Sequence, residues 1–239
     1  MGACLYAIAL AAFAPARLFD GLLADASGGR LRLAASEGTV WSGRAIAELR
    51  NGAGQTQWAA PVAWRLLPAA LLAGRLNYQL VTRPPATIGS LSLSWSRVEV
   101  EGIDVRLPAA TLAALFPALA AWQVGGEVQL VSDRLGFGPA HAAGSATLHW
   151  RSAGTALAPV SPLGDYALQL EARDQAWQAR LATVAGPLQL NGHGGWRPGS
   201  APAFEASLDV PPESRQALSP FLRLVAIERA DGGFDWRLP

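Results

Sequence analysis

The sequence predicts a mainly β protein: curved antiparallel sheet or sheets from two related strand-rich repeats, a few short Pro-bounded helices, and an N-terminal membrane helix. Three observations predict it. Apolar residues alternate with period two along most of the chain. Prolines and glycines bracket the few helical stretches. Two distant segments share one pattern of prolines and leucines. The expected division is an anchor over 1–24, a first repeat over 25–122 and a second over 123–239.

The N-terminal element comes first. Residues 1–16 carry no charged side chain, and Leu5-Tyr-Ala-Ile-Ala-Leu-Ala-Ala-Phe-Ala14 is an apolar run closed by Arg17. As a helix, such a stretch reaches only about 24 Å, against a hydrocarbon core of roughly 30 Å. A signal peptide is the rival reading, because Ala12-Phe13-Ala14 fits an A-x-A cleavage site. Pro15 would follow that cut and no basic residue precedes the run, so the anchor reading is preferred; a buried helix is the third option. Gly2-Ala3-Cys4 resembles the end of a lipobox without the hydrophobic stretch before it. The nearby cations Arg17, Arg30 and Arg32 all follow the segment, which taken alone would place the body inside the cell.

Strands dominate from about Arg30. Leu91, Leu93 and Trp95 alternate with Ser90, Ser92 and Ser94. Apolar positions then move to Val98 and Val100, and back to Ile103, Val105 and Leu107 after Gly102, which predicts a bulge or turn there. Tyr166, Leu168 and Leu170 alternate with polar or small neighbours, and Asp174-Gln175 reads as a tight connection to Trp177, Ala179 and Leu181. Phe204, Ala206, Leu208 and Val210 alternate with Glu205, Ser207 and Asp209; a terminal hairpin through Asp231-Gly232 follows. One apolar and one polar side per strand describes antiparallel sheet with one wet face.

Three helices are expected: Leu67-Pro68-Ala-Ala-Leu-Leu-Ala-Gly74, Pro108-Ala-Ala-Thr-Leu-Ala-Ala-Leu-Phe-Pro117, and residues 211–220. The last two carry the repeat. Pro108, Leu115, Pro117 and Leu119 align at constant spacing with Pro211, Leu218, Pro220 and Leu222. Asn77-Tyr78-Gln-Leu80 is similar to Asp165-Tyr166-Ala-Leu168, and Ile88-Gly-Ser-Leu-Ser-Leu93 to Ala185-Gly-Pro-Leu-Gln-Leu190.

Composition narrows function. The net charge of +1 offers no field for nucleic acid. All basic residues are Arg and Ala is abundant, which reflects a GC-rich genome. Cys4 is the only cysteine, so there is no disulfide framework and no thiolate metal site. His141, His149 and His193 lack ligand spacing. Gly192-His-Gly-Gly195 lacks the Lys and helix of a phosphate cradle and reads as a strand turn. Ser42-Gly43 and Ser145 lie in no nucleophile elbow, and a predicted strand separates Asp165 from Asp174. No catalytic, cofactor or metal residues are expected, and no enzyme activity. The nine tryptophans are spread along the chain and read mainly as packing, with an exposed surface for a partner or lipid as the alternative.

Four segments resemble component N of the bacterial type II secretion system. They are Ala14-Pro15-Ala16-Arg17; Gly38-Thr-Val-Trp41-Ser-Gly43-Arg44-Ala45; Trp58 with Pro61-Val-Ala-Trp64-Arg-Leu-Leu-Pro68 through Gly74; and the C-terminal series Leu163-Gly164-Asp-Tyr166, Thr183-Val-Ala-Gly186-Pro-Leu188-Gln-Leu-Asn-Gly192 and Asp231-Gly232. The ordered series carries the resemblance, since no single motif is catalytic. The sequence departs from it in lacking a basic N-terminus and in the shortness of its apolar run. The resemblance implies a single-pass inner-membrane protein with a periplasmic body. Its partners would be other secretion-system subunits and the inner membrane, with possible lipid contact, no nucleic acid and no cofactor. The family is also similar to proteins with long curved β-sheets that carry lipids between membranes.

Overall fold

The computed structural model describes residues 13–82, 86–112, 121–139, 141–173, 175–197, 199–201, 203–229 and 233–238. The apolar run over 1–12, the end of the helix expected over 108–117, Asp174 and Asp231-Gly232 lie outside them. Among the described residues no helix is long and apolar enough to cross a membrane.

The strands are β1 (Leu31–Gly38), β2 (Ser42–Arg50), β3 (Thr56–Leu66), β4 (Leu76–Thr82), β5 (Ala86–Thr87), β6 (Ser90–Ser94), β7 (Arg97–Pro108), β8 (Val124–Gly138), β9 (His141–Thr155), β10 (Gly164–Arg173), β11 (Ala176–Ala185), β12 (Gln189–Trp196), β13 (Ala203–Asp209), β14 (Ile227–Glu228) and β15 (Phe234–Leu238). All belong to one open antiparallel sheet, ordered along the chain except that β4 pairs with β6 while the two-residue β5 pairs with β7, β15 pairs with β13, and β14 closes the far edge. Successive strands are joined mostly by short turns, which is the connection antiparallel pairing permits. The sheet runs unbroken through the expected 122/123 boundary, with β7 and β8 paired from Val98↔Phe137 to Pro108↔Glu127. The segments matched as repeats are not equivalently placed. From Tyr78 to Pro108 the chain runs through β4, β5–β6 and β7; from Tyr166 to Pro211 it crosses β10, β11, β12 and β13.

Register puts the alternation to use. Leu107, Val128, Trp150 and Tyr166 lie in one cross-strand row, and Val105, Leu130, Leu148, Leu168 and Leu181 in the next. From β7 to β11 one face is therefore apolar. The phase change at Gly102 is real: its φ is +67°, and a Cβ there would press on the Gly89 backbone just before β6. β7 and β8 change phase at the same level, so their apolar residues stay on one side across the irregularity. The same seam reaches β9 at Gly144, φ +96°, where a Cβ would collide with the Arg134 carbonyl oxygen.

A helix packs on each end of the apolar face. α1 (Arg17–Ser27) begins beyond the apolar run and belongs to the body: Phe19 meets Trp64 and Tyr78 edge-on at 5.5 and 5.6 Å. Asp20 and Arg17 make it amphipathic where an anchor over 1–24 was expected. α2 (Pro212–Val225) buries Leu218, Phe221 and Leu222 against Leu188, Leu208 and Phe234; these fall at i, i+3 and i+4. Pro220 sits inside this helix on its exposed side. The helix expected at Leu67–Gly74 is a 3-10 helix, Pro68–Ala73, capped by Gly74 with φ +66°. Between the helices the face packs on itself: Trp177 stacks between Phe137 and Trp196 at 5.4 and 6.0 Å.

Candidate functional site

The polar face carries the candidate site. Strand register aligns Gln169 of β10, Arg180 of β11, His193 of β12 and Glu205 of β13 in one row. Asn191, Ser207 and Asp235 form the adjacent row on β12, β13 and β15. A groove of about 790 Å³ lies over these strands, lined by Gln169, Gln178, Arg180, Asn191, His193 and Ser207. A smaller hollow of about 180 Å³ shares Asn191, His193 and Ser207 and continues toward Asp235.

Gly192 and Gly194 form part of its floor, and here the strand-turn reading of Gly192-His-Gly-Gly195 is corrected: these residues lie inside β12. Their missing side chains have a steric cause. The Phe204 ring lies over them on the apolar side, 2.9 Å from where a Gly192 Cβ would stand. The glycines thus keep β12 close under an aromatic ring and leave His193 facing the groove.

The groove is chemically plain. Ser207 Oγ donates to the Asn191 carbonyl at 3.2 Å, and Glu171 at the rim is engaged by Arg173 at 3.1 Å. Arg180 is exposed and has no ion pair among the described residues. Amides, one imidazole and one guanidinium can read an extended hydrogen-bonding partner. No nucleophile is held by a base here, because the Ser207 hydroxyl is turned to a backbone carbonyl. Among the described residues no three His, Cys, Asp or Glu side chains gather as a metal site. His149 lies on β9 between Gln129 and Ala167, away from His193. Asp165 accepts the Ser152 amide at 2.6 Å.

Two buried phenols brace the apolar side. Tyr166 donates to the Leu188 carbonyl at 2.9 Å, and burial pushes its hydroxyl well above the usual range. Burial raises Tyr78 in the same direction. The tryptophans mostly pack or bond: Trp64 donates to Thr39, Trp150 to Gly125 and Trp58 to Arg106 carbonyls. Trp95 is fully exposed on the turn between β6 and β7. The sequence reading missed Gln169, Gln178, Arg180 and Asn191. Their signal is alternation on successive strands, which becomes a row only once register is known.

The chain matches the family model for type II secretion system (T2SS), protein N, over residues 29–237. It belongs to that family. The match spans the sheet from just before β1 into β15, including every groove residue. Membership points to a component of the type II secretion system, a class that is generally not enzymatic and is associated with the cell envelope. No curated protein and no solved structure shows significant similarity to the chain.

Proposed function

We propose that this chain is a non-enzymatic component of the type II secretion system, anchored in the inner membrane by its N-terminus with its body in the periplasm. In this reading the two halves, 25–122 and 123–239, act as one continuous surface, and the polar groove over β10–β13 receives an extended segment of another subunit. The family match over nearly the whole sheet carries the proposal. The groove supports it with the amides of Gln169, Gln178 and Asn191, the His193 imidazole and the Arg180 guanidinium, on strands that the sheet holds in register. The test is complementation. Deleting the gene is expected to abolish or reduce export of secreted enzymes, and a chain with Arg180→Ala and Asn191→Ala is expected to restore it only in part. Normal export from the deletion strain, with neighbouring genes intact, would overturn the assignment.

A second reading is a periplasmic lipid- or lipoprotein-binding protein. It is favoured by the apolar face of a one-layer sheet, where Val98 and Phe137 remain 40 and 43% exposed. Native mass spectrometry of the chain released from membranes tests it, and release with no bound lipid would eliminate it.

A further inference from the structure

Antiparallel connectivity sorts the turns to two ends of the sheet. At the β1–β7 side of the sheet, one end carries residues 39–41, 67–75 and 95–96, the turns after β1, β3 and β6; the connections after β8, β10 and β12 leave the same end farther along the sheet. The start of the described chain is fastened to this same end: the Val40 amide donates to the Ala14 carbonyl at 2.9 Å, and the Ala16 amide to Gly38 at 3.1 Å. The uncharged, apolar segment 1–12 therefore joins the body here and not at the opposite end.

The side chains on this end match that segment. Phe13 is 78% exposed, Leu72 95%, and Trp95 fully. Arg17, Arg75 and Arg97 are exposed beside them, and none has an ion pair among the described residues. Residues 13–17, 39–41, 67–76 and 94–98 contain no Asp or Glu. Exposed Leu and Trp at turn tips, with arginines and no acids between them, is the composition that partitions into the headgroup layer of an anionic bilayer.

We propose that this corner of the sheet, formed by the turns after β1, β3 and β6, is a second membrane contact. Leu72 and Trp95 enter the acyl boundary of an anionic phospholipid bilayer, and Arg75 and Arg97 bind lipid phosphates. The strands then stand on the membrane rather than hanging from it by a tether. The inference rests on the anchored reading above, and its test separates the two.

The experiment uses the full chain with Cys4→Ser and a nitroxide at Leu72→Cys, Trp95→Cys or, at the opposite end, Ala53→Cys. Leu72, Trp95 and Ala53 are all exposed, so the substitutions leave the fold intact. Each chain is reconstituted with vesicles of phosphatidylglycerol and phosphatidylcholine. Collision with oxygen against a water-soluble nickel chelate then gives the depth of the label. Labels at positions 72 and 95 are expected in the hydrocarbon boundary, and the label at 53 in water. Arg75→Gln with Arg97→Gln is expected to weaken the contact about fivefold per charge and return both labels toward water. A chain that floats with the vesicles while labels 72 and 95 stay as aqueous as label 53 overturns this inference alone. Equal depth in pure phosphatidylcholine overturns its anionic half. A chain that does not float overturns the anchored reading, and this contact with it.

Discussion

Asp20→Asn tests how the first edge of the sheet is protected. β1 is an edge strand, and its outward amides would otherwise offer a template to another chain. α1 covers them: Asp20 accepts the Leu33 amide at 2.8 Å, and Ser27 Oγ accepts that of Leu31 at 2.9 Å. Arg32 grips the same carboxylate through Nε and Nη2 at 2.8 and 2.7 Å. The Arg32 hydrogen bond, aided by the Leu33 amide, holds the Asp20 carboxyl at about 2, below its ordinary 3.8. Taken at face value that gap corresponds to roughly 2.4 kcal/mol at neutral pH. The side chains are 21 and 37% exposed, so solvent screening reduces the expected loss in Asp20→Asn to about 1 kcal/mol. The sign follows from linkage: between about pH 4 and 2 the unfolded chain binds the proton and the folded chain does not. The stabilisation is present above pH 4 and disappears as pH falls through 2. Urea unfolding followed by tryptophan fluorescence, for wild type and variant, checks it. Equal midpoints at pH 7, or a difference that persists at pH 2, would refute the account of the edge. Asp20→Ala should also self-associate more readily on size-exclusion chromatography.

Three further substitutions have expected outcomes. Trp177→Ala removes the ring stacked between Phe137 and Trp196 and should cost about 3–5 kcal/mol, read by urea denaturation. Tyr166→Phe strands the buried Leu188 carbonyl and should cost about 1–2 kcal/mol. The wild-type chain should lose stability above about pH 10, where the unfolded chain ionises this tyrosine and the folded chain does not; Tyr166→Phe should blunt that loss. Gly144→Ala meets the Arg134 carbonyl at a positive φ and should lower thermal stability by about 2 kcal/mol, seen as an earlier melting transition.

Much of this fold is legible locally. The alternation at Leu91–Leu93, the phase change at Gly102 and the apolar set Tyr166, Leu168, Leu170 all report a half-buried strand without reference to neighbours. The glycine row of β12 is not legible, because its cause is Phe204 on another strand. The groove is less legible still. Arg180, His193 and Asn191 are ordinary polar positions until register brings them side by side. The helix around Pro211 extends to Val225 rather than stopping near Pro220: the packing of Leu218, Phe221 and Leu222 on both sides of the proline outweighs the helical hydrogen bond that Pro220 cannot donate.

Chain-order pairing makes the protein nearly one-dimensional. Apart from the β13–β15 step and the short β5, which lets β4 pair with β6 and itself pairs with β7, each strand pairs with strands next to it in the chain, so cooperativity passes from neighbour to neighbour as in a repeat array. In such an array the ends fray first. The two helices sit where fraying would begin, α1 beside β1 and α2 over β12, β13 and β15. Amide exchange should therefore be slowest in the long strands β7, β8 and β9, of 12, 15 and 15 residues, and quicken outward in steps the width of a hairpin.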